Sequence, residues 1–209
     1  MSDQLPLFPP PPAPPPAPAP RLAPRTPSSA PLHTLFFALQ PALPDGERIA
    51  ACAASDDAAL GIGGQALVVA RLHVSLHAVG HYGDVFPTQD VERWMRAAAT
   101  VRAVPFEVVF DRAATFGGKG HPRVLRAGSE EGAESVRQFH QALGIALADA
   151  GEHITARRIE PHMTVSYRGV AAAEAPIEPI RWTARDFVLI DSHYGAGLHE
   201  VIGRWPLRA

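Results

Sequence analysis

Hydrophobic and polar residues follow two periods along the chain, and the shorter period predicts strands. Apolar residues alternate with polar ones on a half-buried strand and form short unbroken runs in a fully buried one. The segment from Leu32 to Leu39 is such a run, with His33 and Thr34 as its only polar members. The predicted strands are 32–39, 66–79, 106–110, 123–127, 159–167, 180–192 and 200–205.

The longer period, of about 3.6 residues, predicts three helices. The first runs from Asp45 to about Asp57, the second follows Thr88 and the third follows Ser129, and all three starting side chains can cap a helix. The apolar positions of the second and third helices are Val91, Trp94, Met95, Ala98 and Val101, and Val136, Phe139, Leu143 and Leu147. Strands and helices recur in a similar order twice, which predicts an α+β domain made of two related halves.

Two of the predicted strands carry the same short pattern. Residues 73–76 read His-Val-Ser-Leu, and residues 162–165 read His-Met-Thr-Val. Because alternate side chains of a strand share a face, His73 lies beside Ser75, and His162 beside Thr164, with apolar residues on the opposite face. The two histidines are too far apart in sequence for a local site, so we expect them to meet across a cleft between the halves.

The first 31 residues differ in composition from the rest. They hold thirteen of the 22 prolines, and the run from Pro9 to Pro20 contains only proline and alanine. Such a segment buries little apolar area and forms no strand ladder. We therefore predict a disordered tail over 1–31 and one folded domain over 32–209.

Composition and charge narrow the possible partners. The formal net charge of −2 argues against a broad basic surface for long nucleic acids. No apolar run approaches the ~20 residues of a membrane-spanning helix, and no signal peptide is evident, so we expect no membrane partner. A single cysteine, Cys52, excludes an intrachain disulfide and fits a cytoplasmic location, and we expect its side chain to be buried.

An imidazole and a hydroxyl on each side of a cleft suit acid–base chemistry at a phosphate-like centre. The ordinary pKa of histidine, about 6.5, lets one of the pair accept a proton while the other donates one near neutral pH. One would deprotonate water and the other would protonate the departing oxygen, while Ser75 and Thr164 donate hydrogen bonds to phosphoryl oxygens. The scheme needs no cofactor and no metal ion, and neither motif has the spacing of a zinc site.

A single histidine on a strand is more often a surface or hydrogen-bonded residue than a catalyst. Two copies with the same alternation, each in the same place of a half, favour a catalytic pair. On a regular strand His77 shares a face with His73, so it is a further candidate for the site. Six of the other histidines are expected in loops or at the surface, namely His81, His121, His140, His153, His193 and His199.

On these motifs the chain resembles the 2H phosphoesterase superfamily, and within it the bacterial LigT-like group of 2′-5′ RNA ligases and RNA 2′,3′-cyclic phosphodiesterases. The resemblance covers about 32–207 and also includes the segments 36–39, 116–117, 123–125, 187–192 and 203–207. It implies a bilobal, pseudo-symmetric α+β fold with two antiparallel sheets flanked by helices around a central cleft. The implied activity is metal-independent opening of a 2′,3′-cyclic phosphodiester, at an RNA end or on a small nucleotide, to a 2′-phosphate. Some members also join RNA ends reversibly through a 2′-5′ linkage.

The chain departs from the pattern of this family at three positions. Ser75 stands where threonine is commoner, Ala78 where many members have an aromatic residue, and Tyr167 where many have an arginine. Tyr167 is therefore a candidate for substrate binding in place of that arginine. Two arginines are candidates to supply the missing charge. On regular strands, Arg158 shares a face with His162, and Arg71 shares a face with His73.

Two alternatives to an enzyme remain open. The domain could be a catalytically idle module that binds RNA ends or nucleotides, although the intact histidines favour catalysis. It could also be a scaffold whose tail recruits a partner. Residues 4–8 of the tail read Gln-Leu-Pro-Leu-Phe and resemble the pentapeptide by which bacterial proteins dock on the DNA sliding clamp, with Gln4, Leu5, Leu7 and Phe8 as its contacts.

Overall fold

The computed structural model describes residues 33–117, 121–154, 158–193 and 195–209, apart from the side chain of Glu131. The predicted tail over 1–31 and its docking motif lie outside the described residues. The disorder of the tail and the domain boundary at residue 32 therefore stay predictions.

Three helices and nine strands form within these ranges. The helices are α1 (Leu43–Ala59), α2 (Thr88–Ala98) and α3 (Glu130–Asp149). The strands are β1 (His33–Leu39), β2 (Gln65–Ala66), β3 (Val74–Tyr82), β4 (Phe106–Thr115), β5 (Arg123–Arg126), β6 (His162–Tyr167), β7 (Ala175–Ala184), β8 (Asp186–His193) and β9 (Leu198–Pro206). None of the three helices is both long and apolar enough to cross a membrane.

The nine strands form one antiparallel sheet. Its order is β7-β4-β5-β6-β3-β1-β8-β9, with β2 paired to β6 beside this path. The α+β prediction is confirmed, but the two implied sheets are continuous, because Val74 of β3 pairs with Met163 of β6. That pair joins the strand groups β7-β4-β5-β6 and β3-β1-β8-β9 at the position of the two motifs, and each group contains strands from both halves of the sequence.

The helix starts follow local chemistry. Ser129 caps α3 as predicted, since its Oγ accepts a hydrogen bond from the backbone N–H of Gly132. The start predicted for α1 at Asp45 is wrong: the helix begins two residues earlier, because Pro44 fits the first turn, where its missing N–H costs nothing. Thr88 is the first residue of α2 rather than its cap, and Pro87 stands at the cap position.

Two of the long predicted strands are interrupted. The segment 66–79 contains the last residue of β2, a 3-10 turn at Val69–Arg71 and then most of β3. This turn packs against α1 so closely that a Cβ on Gly46 would lie 2.5 Å from Val69 Cγ1. The segment 180–192 divides at Arg185 into β7 and β8, and no glycine or proline marks this break in the sequence.

The sheet has two faces with different burial. The core face carries Leu35, Phe37 and Leu39 of β1, which belong to the main hydrophobic core together with side chains of all three helices. The open face carries Phe36 and Ala38 of the same strand, which form a small separate cluster with Val188 and Ile190. The motif side chains lie on the open face.

A buried ion pair attaches α1 to the sheet. Arg123 Nε of β5 donates to Asp57 Oδ1 of α1 at 2.9 Å, and the two side chains are 3% and 12% exposed. Cys52 of the same helix is exposed, contrary to the prediction of a buried side chain, because it faces away from the buried positions Ile49 and Ala53.

Candidate active site

The register of β3 and β6 brings the two motifs together. Val74 pairs with Met163, and both side chains are fully buried on the core face. In an antiparallel pair the neighbours of this couple oppose each other in reverse order. Position 73 is therefore directed towards position 164, and position 75 towards position 162, on the face of the strands opposite Val74 and Met163.

Both motif histidines are held in the same orientation. His73 Nδ1 lies 2.7 Å from the carbonyl oxygen of Arg71, and His162 Nδ1 lies 2.8 Å from that of Glu160. Because a carbonyl oxygen can only accept, each Nδ1 carries a proton and donates it to the residue two positions earlier. The neutral tautomer then leaves each Nε2 with a free lone pair, which can accept a proton from water or donate one after protonation.

Each motif strand has a β-bulge directly after its hydroxyl residue. On β3, Ser75 pairs with Ala38 and Ala78 with Phe36, so one extra residue sits between them. The consecutive residues Leu76 and His77 are both buried as a result, and His77 points to the core face. The prediction that His77 shares a face with His73 is therefore wrong. It assumed strict alternation along the strand, and the bulge after Ser75 reverses that alternation.

The second motif repeats this device on β6. Val124 pairs with Thr164 and Arg123 with Ser166, again with one extra residue, and Val165 and Ser166 are both buried. The shift returns Tyr167 to the open face of the sheet, the face of His162 and Thr164. Tyr167 and Ala78 thus occupy equivalent places in the two halves.

His73 lies in an aromatic and largely dehydrated setting. Its ring centroid is 5.0 Å from that of Phe36 and 5.3 Å from that of His199. Burial lowers the pKa of His73, and the nearby charges of Arg71 and His162 lower it further, against the opposing hydrogen bond to the Arg71 carbonyl. The pKa of His199 falls to about 4, first because of burial and then because of His73 and Arg71. Both imidazoles are therefore neutral at pH 7.

His162 has an equivalent aromatic neighbour and an arginine. The centroid of its ring is 5.1 Å from that of Phe116, so each motif histidine contacts one phenylalanine. Arg126 pairs with His162 across β5 and β6, and its guanidinium carbon lies 5.9 Å from the centre of the Phe116 ring. Arg126 also binds the carboxylates of Glu160, at 3.2 Å, and Glu174.

The two arginines proposed from strand parity have different surroundings. Arg71 is half-buried, its charge acts on His73 and His199, and its Nε has no hydrogen-bond partner among the described residues. Arg158 is exposed and donates to both carboxylate oxygens of Glu130 at 2.9 Å. The structure thus brings Arg71 to the histidines, whereas Arg158 is directed to the start of α3.

Sequence reasoning missed His199 and Arg126. His199 was expected at the surface, which is wrong: it is half-buried on β9 and opposes Ser192 across β8 and β9. No local sequence pattern links His199 to His73, because β1 and β8 lie between β3 and β9 in the sheet. Arg126 directly follows the segment 123–125. The sequence does not show that Arg126 pairs with His162 across β5 and β6.

A cavity of about 440 Å³ lies away from the motif histidines, between β3 and α3. Its lining includes His77 and His140, whose rings stack at 3.9 Å, and His77 Nε2 donates to the carbonyl oxygen of His140. Burial lowers the pKa of both histidines, that of His140 to about 4. A Cβ on Gly144 would come 3.1 Å from the His77 ring, so this glycine lets α3 approach the strand. The arrangement explains His77 and His140 as packing residues.

Solved structures share this architecture. Escherichia coli LigT in its apo form is 20% identical, with a TM-score of 0.64 over 86% of this chain and 100% of that one. TT0787 of Thermus thermophilus is 18% identical, with a TM-score of 0.62 over 84% of this chain and 98% of that one. A crystal structure described as a phosphoesterase is 19% identical, with a TM-score of 0.63 over 85% of this chain and 99% of that one. At these identities the likeness establishes the fold. No curated protein matches the chain in sequence.

The chain has the fold of E. coli LigT and of TT0787, and it carries two copies of the histidine motif within that fold. The family model of the 2′-5′ RNA ligase superfamily matches residues 47–195, which include both motif histidines. The chain belongs to the 2′-5′ RNA ligase superfamily, and its activity is of the phosphoesterase and ligase type of that superfamily.

Proposed function

We propose that the protein opens 2′,3′-cyclic phosphodiesters, at RNA ends or on small nucleotides, to 2′-phosphates by two-histidine acid–base catalysis. The matching orientation of His73 and His162 carries the proposal. Each imidazole is fixed through Nδ1 and presents Nε2, so the pair can serve two proton transfers at one phosphorus atom. Membership of the 2′-5′ RNA ligase superfamily supports the same chemistry.

The pKa of His73 suggests which histidine acts as the base. Because its pKa is lowered, its imidazole stays neutral in neutral solution and can take a proton from the attacking water. The water oxygen forms a bond to phosphorus while the bond from phosphorus to the ribose 3′-oxygen breaks. His162 would supply a proton to that oxygen and leave the phosphate on the 2′-oxygen.

Neighbouring side chains would stabilise the phosphoryl group. The hydroxyls of Ser75 and Thr164, on the same face as the motif histidines at the β3–β6 junction, can donate to its non-bridging oxygens as negative charge accumulates. Arg71 offers a positive charge near His73, and Tyr167 offers a hydroxyl on the same face. Phe36 and Phe116 place one apolar ring beside each motif imidazole.

Structures of E. coli LigT with 3′-AMP and with phosphate support a nucleotide phosphate as the group bound by this fold. The substrate range is tested with 2′,3′-cyclic AMP, a short RNA ending in a 2′,3′-cyclic phosphate, and 3′,5′-cyclic AMP as the matched control ester. Products are identified by phosphorus NMR. We expect turnover of the two 2′,3′-cyclic substrates to 2′-phosphates, and none of the 3′,5′-cyclic ester.

Other outcomes would replace the proposal. Binding of cyclic-phosphate RNA without turnover would identify a catalytically idle binding module. A 3′-phosphate product would contradict protonation of the 3′-oxygen. Incubation of one RNA ending in a 2′,3′-cyclic phosphate with another that begins with a 5′-hydroxyl tests for ligation, in which a 2′-5′ linkage forms as the superfamily description suggests.

A further inference from the structure

Four side chains with metal-binding atoms lie together on the core face, at one end of β1. His33 of β1 pairs directly with His193 of β8, and Leu35 pairs with Asp191. Glu200 of β9 pairs with Asp191 from the other side. Strand alternation therefore puts all four on one face, and that face is opposite to Phe36 and the motif histidines.

The polar atoms of this cluster are close to one another. His33 Nδ1 lies 2.8 and 3.0 Å from the two carboxylate oxygens of Asp191. His193 Nε2 lies 3.6 Å from Asp191 Oδ2 and 3.7 Å from Glu200 Oε2. The ligand atoms of His33, Asp191 and His193 all lie within 4.8 Å of one another, and the two imidazole centroids are 4.5 Å apart.

A simple ion pair accounts for only part of this arrangement. The contact between His33 and the buried carboxylate of Asp191 is an ordinary hydrogen bond. His193 Nε2 is different: it is shielded from solvent and has no hydrogen-bond partner among the described residues, although two carboxylates face it. Its separations from them are too long for hydrogen bonds, and a buried polar atom without a partner calls for an explanation.

The separations fit a metal ion placed between the groups. Nitrogen and oxygen ligands lie about 2.0–2.2 Å from zinc, so two ligand atoms of a tetrahedral site are about 3.3–3.6 Å apart. The 3.6 Å separation around His193 lies at the upper end of this range and the 3.7 Å separation just above it, and the His33 contact needs to lengthen by less than about 1 Å. Two imidazoles and two carboxylates also form a complete set of four ligands for zinc.

We propose that His33, Asp191 and His193 bind one zinc ion, and that the exposed Glu200 side chain beside His193 turns towards the ion as the fourth ligand. The N₂O₂ set suits zinc among the metals of cells, and copper(II) and nickel(II) would compete for it. Asp191, 5% exposed, forms the inner wall, and Glu200, 62% exposed, closes the site from the solvent side. The ion would connect β1, β8 and β9, so its role is structural, and it is separate from the catalytic face.

The sequence contains no signal of this site. His33 and Asp191 are 158 positions apart, and neither histidine belongs to a metal-binding spacing. Only the pairing of β1 with β8 and of β8 with β9 brings the ligands together. The spacing of histidines within single motifs predicts no metal site. That spacing carries no information about ligands that lie on three separate strands.

The test uses full-length protein stripped with a chelator, in a His73→Ala/His162→Ala background that removes the motif histidines as competing zinc ligands. Zinc chloride binding is measured by calorimetry, and Tm is measured with and without zinc. The variant His193→Gln should fold, because His193 Nε2 makes no hydrogen bond within the described part of the chain, and Glu200→Gln changes an exposed side chain. His153→Gln, at another exposed histidine, is the matched control.

We expect one zinc ion per chain and a rise in Tm of about 5–10 °C when zinc exceeds its Kd about 100-fold. His193→Gln should weaken binding at least about 10-fold and remove most of the rise, and Glu200→Gln should weaken binding less, whereas His153→Gln should leave both unchanged. Absence of binding in the double-alanine background would overturn the proposal. Equal affinity of His193→Gln and His153→Gln would overturn it as well.

Discussion

At the scale of single residues, one backbone hydrogen bond determines what each motif histidine can do. The sequence predicts the pair and its hydroxyls, because strand alternation is local. It does not predict that both Nδ1 atoms are occupied by the carbonyls of residues 71 and 160, since this depends on how the chain turns into each strand. Nor does it predict His199, whose contact with His73 is made across strands that are distant in sequence.

The lowered pKa of His73 leads to a prediction about pH. If His73 is the base, kcat/KM falls as the pH drops through its pKa, and a lowered pKa places that acid limb below pH 6.5. Burial is the main cause and the Arg71 charge a smaller one, so Arg71→Met should raise the pKa and move the limb to higher pH. Arg96→Met, at an exposed arginine on α2, should not move it. A limb that stays in place in Arg71→Met, measured across the acid and neutral range, would contradict this coupling.

The hydroxyls of the two motifs should act on the chemical step. Their hydrogen bonds strengthen as the phosphoryl group is displaced, so Ser75→Ala and Thr164→Ala should each lower kcat about 10–10³-fold with a smaller change in KM. Thr183→Val, at a threonine of β7, is the control. An unchanged kcat in both motif variants would place these hydroxyls outside the site.

At the scale of elements, one β-bulge follows the hydroxyl residue of each motif strand, and β3 has a further bulge at Val79. The alternation of polar and apolar residues predicts β3 and β6. It does not predict their bulges, because the extra residue of a bulge leaves no mark in the hydrophobic pattern. Leu76 and His77 are an example: one is apolar and one polar, yet both are buried. The pair of bulges is also the strongest structural sign of internal symmetry, because each follows its hydroxyl residue directly. The sequence also does not predict where β7 ends and β8 begins, because no glycine or proline marks the break at Arg185.

The ion pair of Asp57 and Arg123 should be important for the attachment of α1. Asp57→Asn would leave the Arg123 guanidinium buried without its counter-charge, and breaking a buried pair from one side costs about 3–5 kcal/mol. Asp56→Asn, which changes the neighbouring carboxylate, is the matched control. The free energy of unfolding in urea measures the difference. Equal stability of the two variants would show that the pair contributes nothing to the fold.

At the scale of the whole molecule, the sequence predicts the class of fold from its strands and helices. It does not predict the composition of the two groups of strands, because β8 of the second half pairs with β1 of the first, and β7 with β4. Nor does it predict that the two groups share one sheet through β3 and β6, because the pair of Val74 with Met163 has no sequence signature. The same limit applies to the cluster of His33, Asp191 and His193, which depends on the order of strands.

The tail over 1–31 should be dispensable for catalysis. A segment of proline and alanine cannot form part of a packed cleft, so a chain beginning at Pro31 should match the full chain in kcat/KM. We propose that the tail recruits the sliding clamp through Leu5, Leu7 and Phe8. A peptide of residues 1–12 should bind purified clamp, and its Leu7→Ala/Phe8→Ala version should not.

Two results would count against this view of the tail. Equal binding of both peptides, or binding of neither, would remove the clamp as its partner. A large loss of kcat/KM on truncation would instead mean that the tail covers the cleft and that the domain begins before residue 32.

The most direct test of the account is the single-turnover rate of 2′,3′-cyclic AMP hydrolysis by His73→Ala and His162→Ala. Each variant should lose about 10²–10⁴-fold, because each removes one proton transfer, and the double variant should be little slower than the singles, because the pair acts as a unit. His81→Ala, at an exposed histidine on the same strand as Ser75, should keep the wild-type rate. Circular dichroism confirms that each variant is folded. A folded single variant of the pair that retains a rate close to wild type would contradict the two-histidine mechanism.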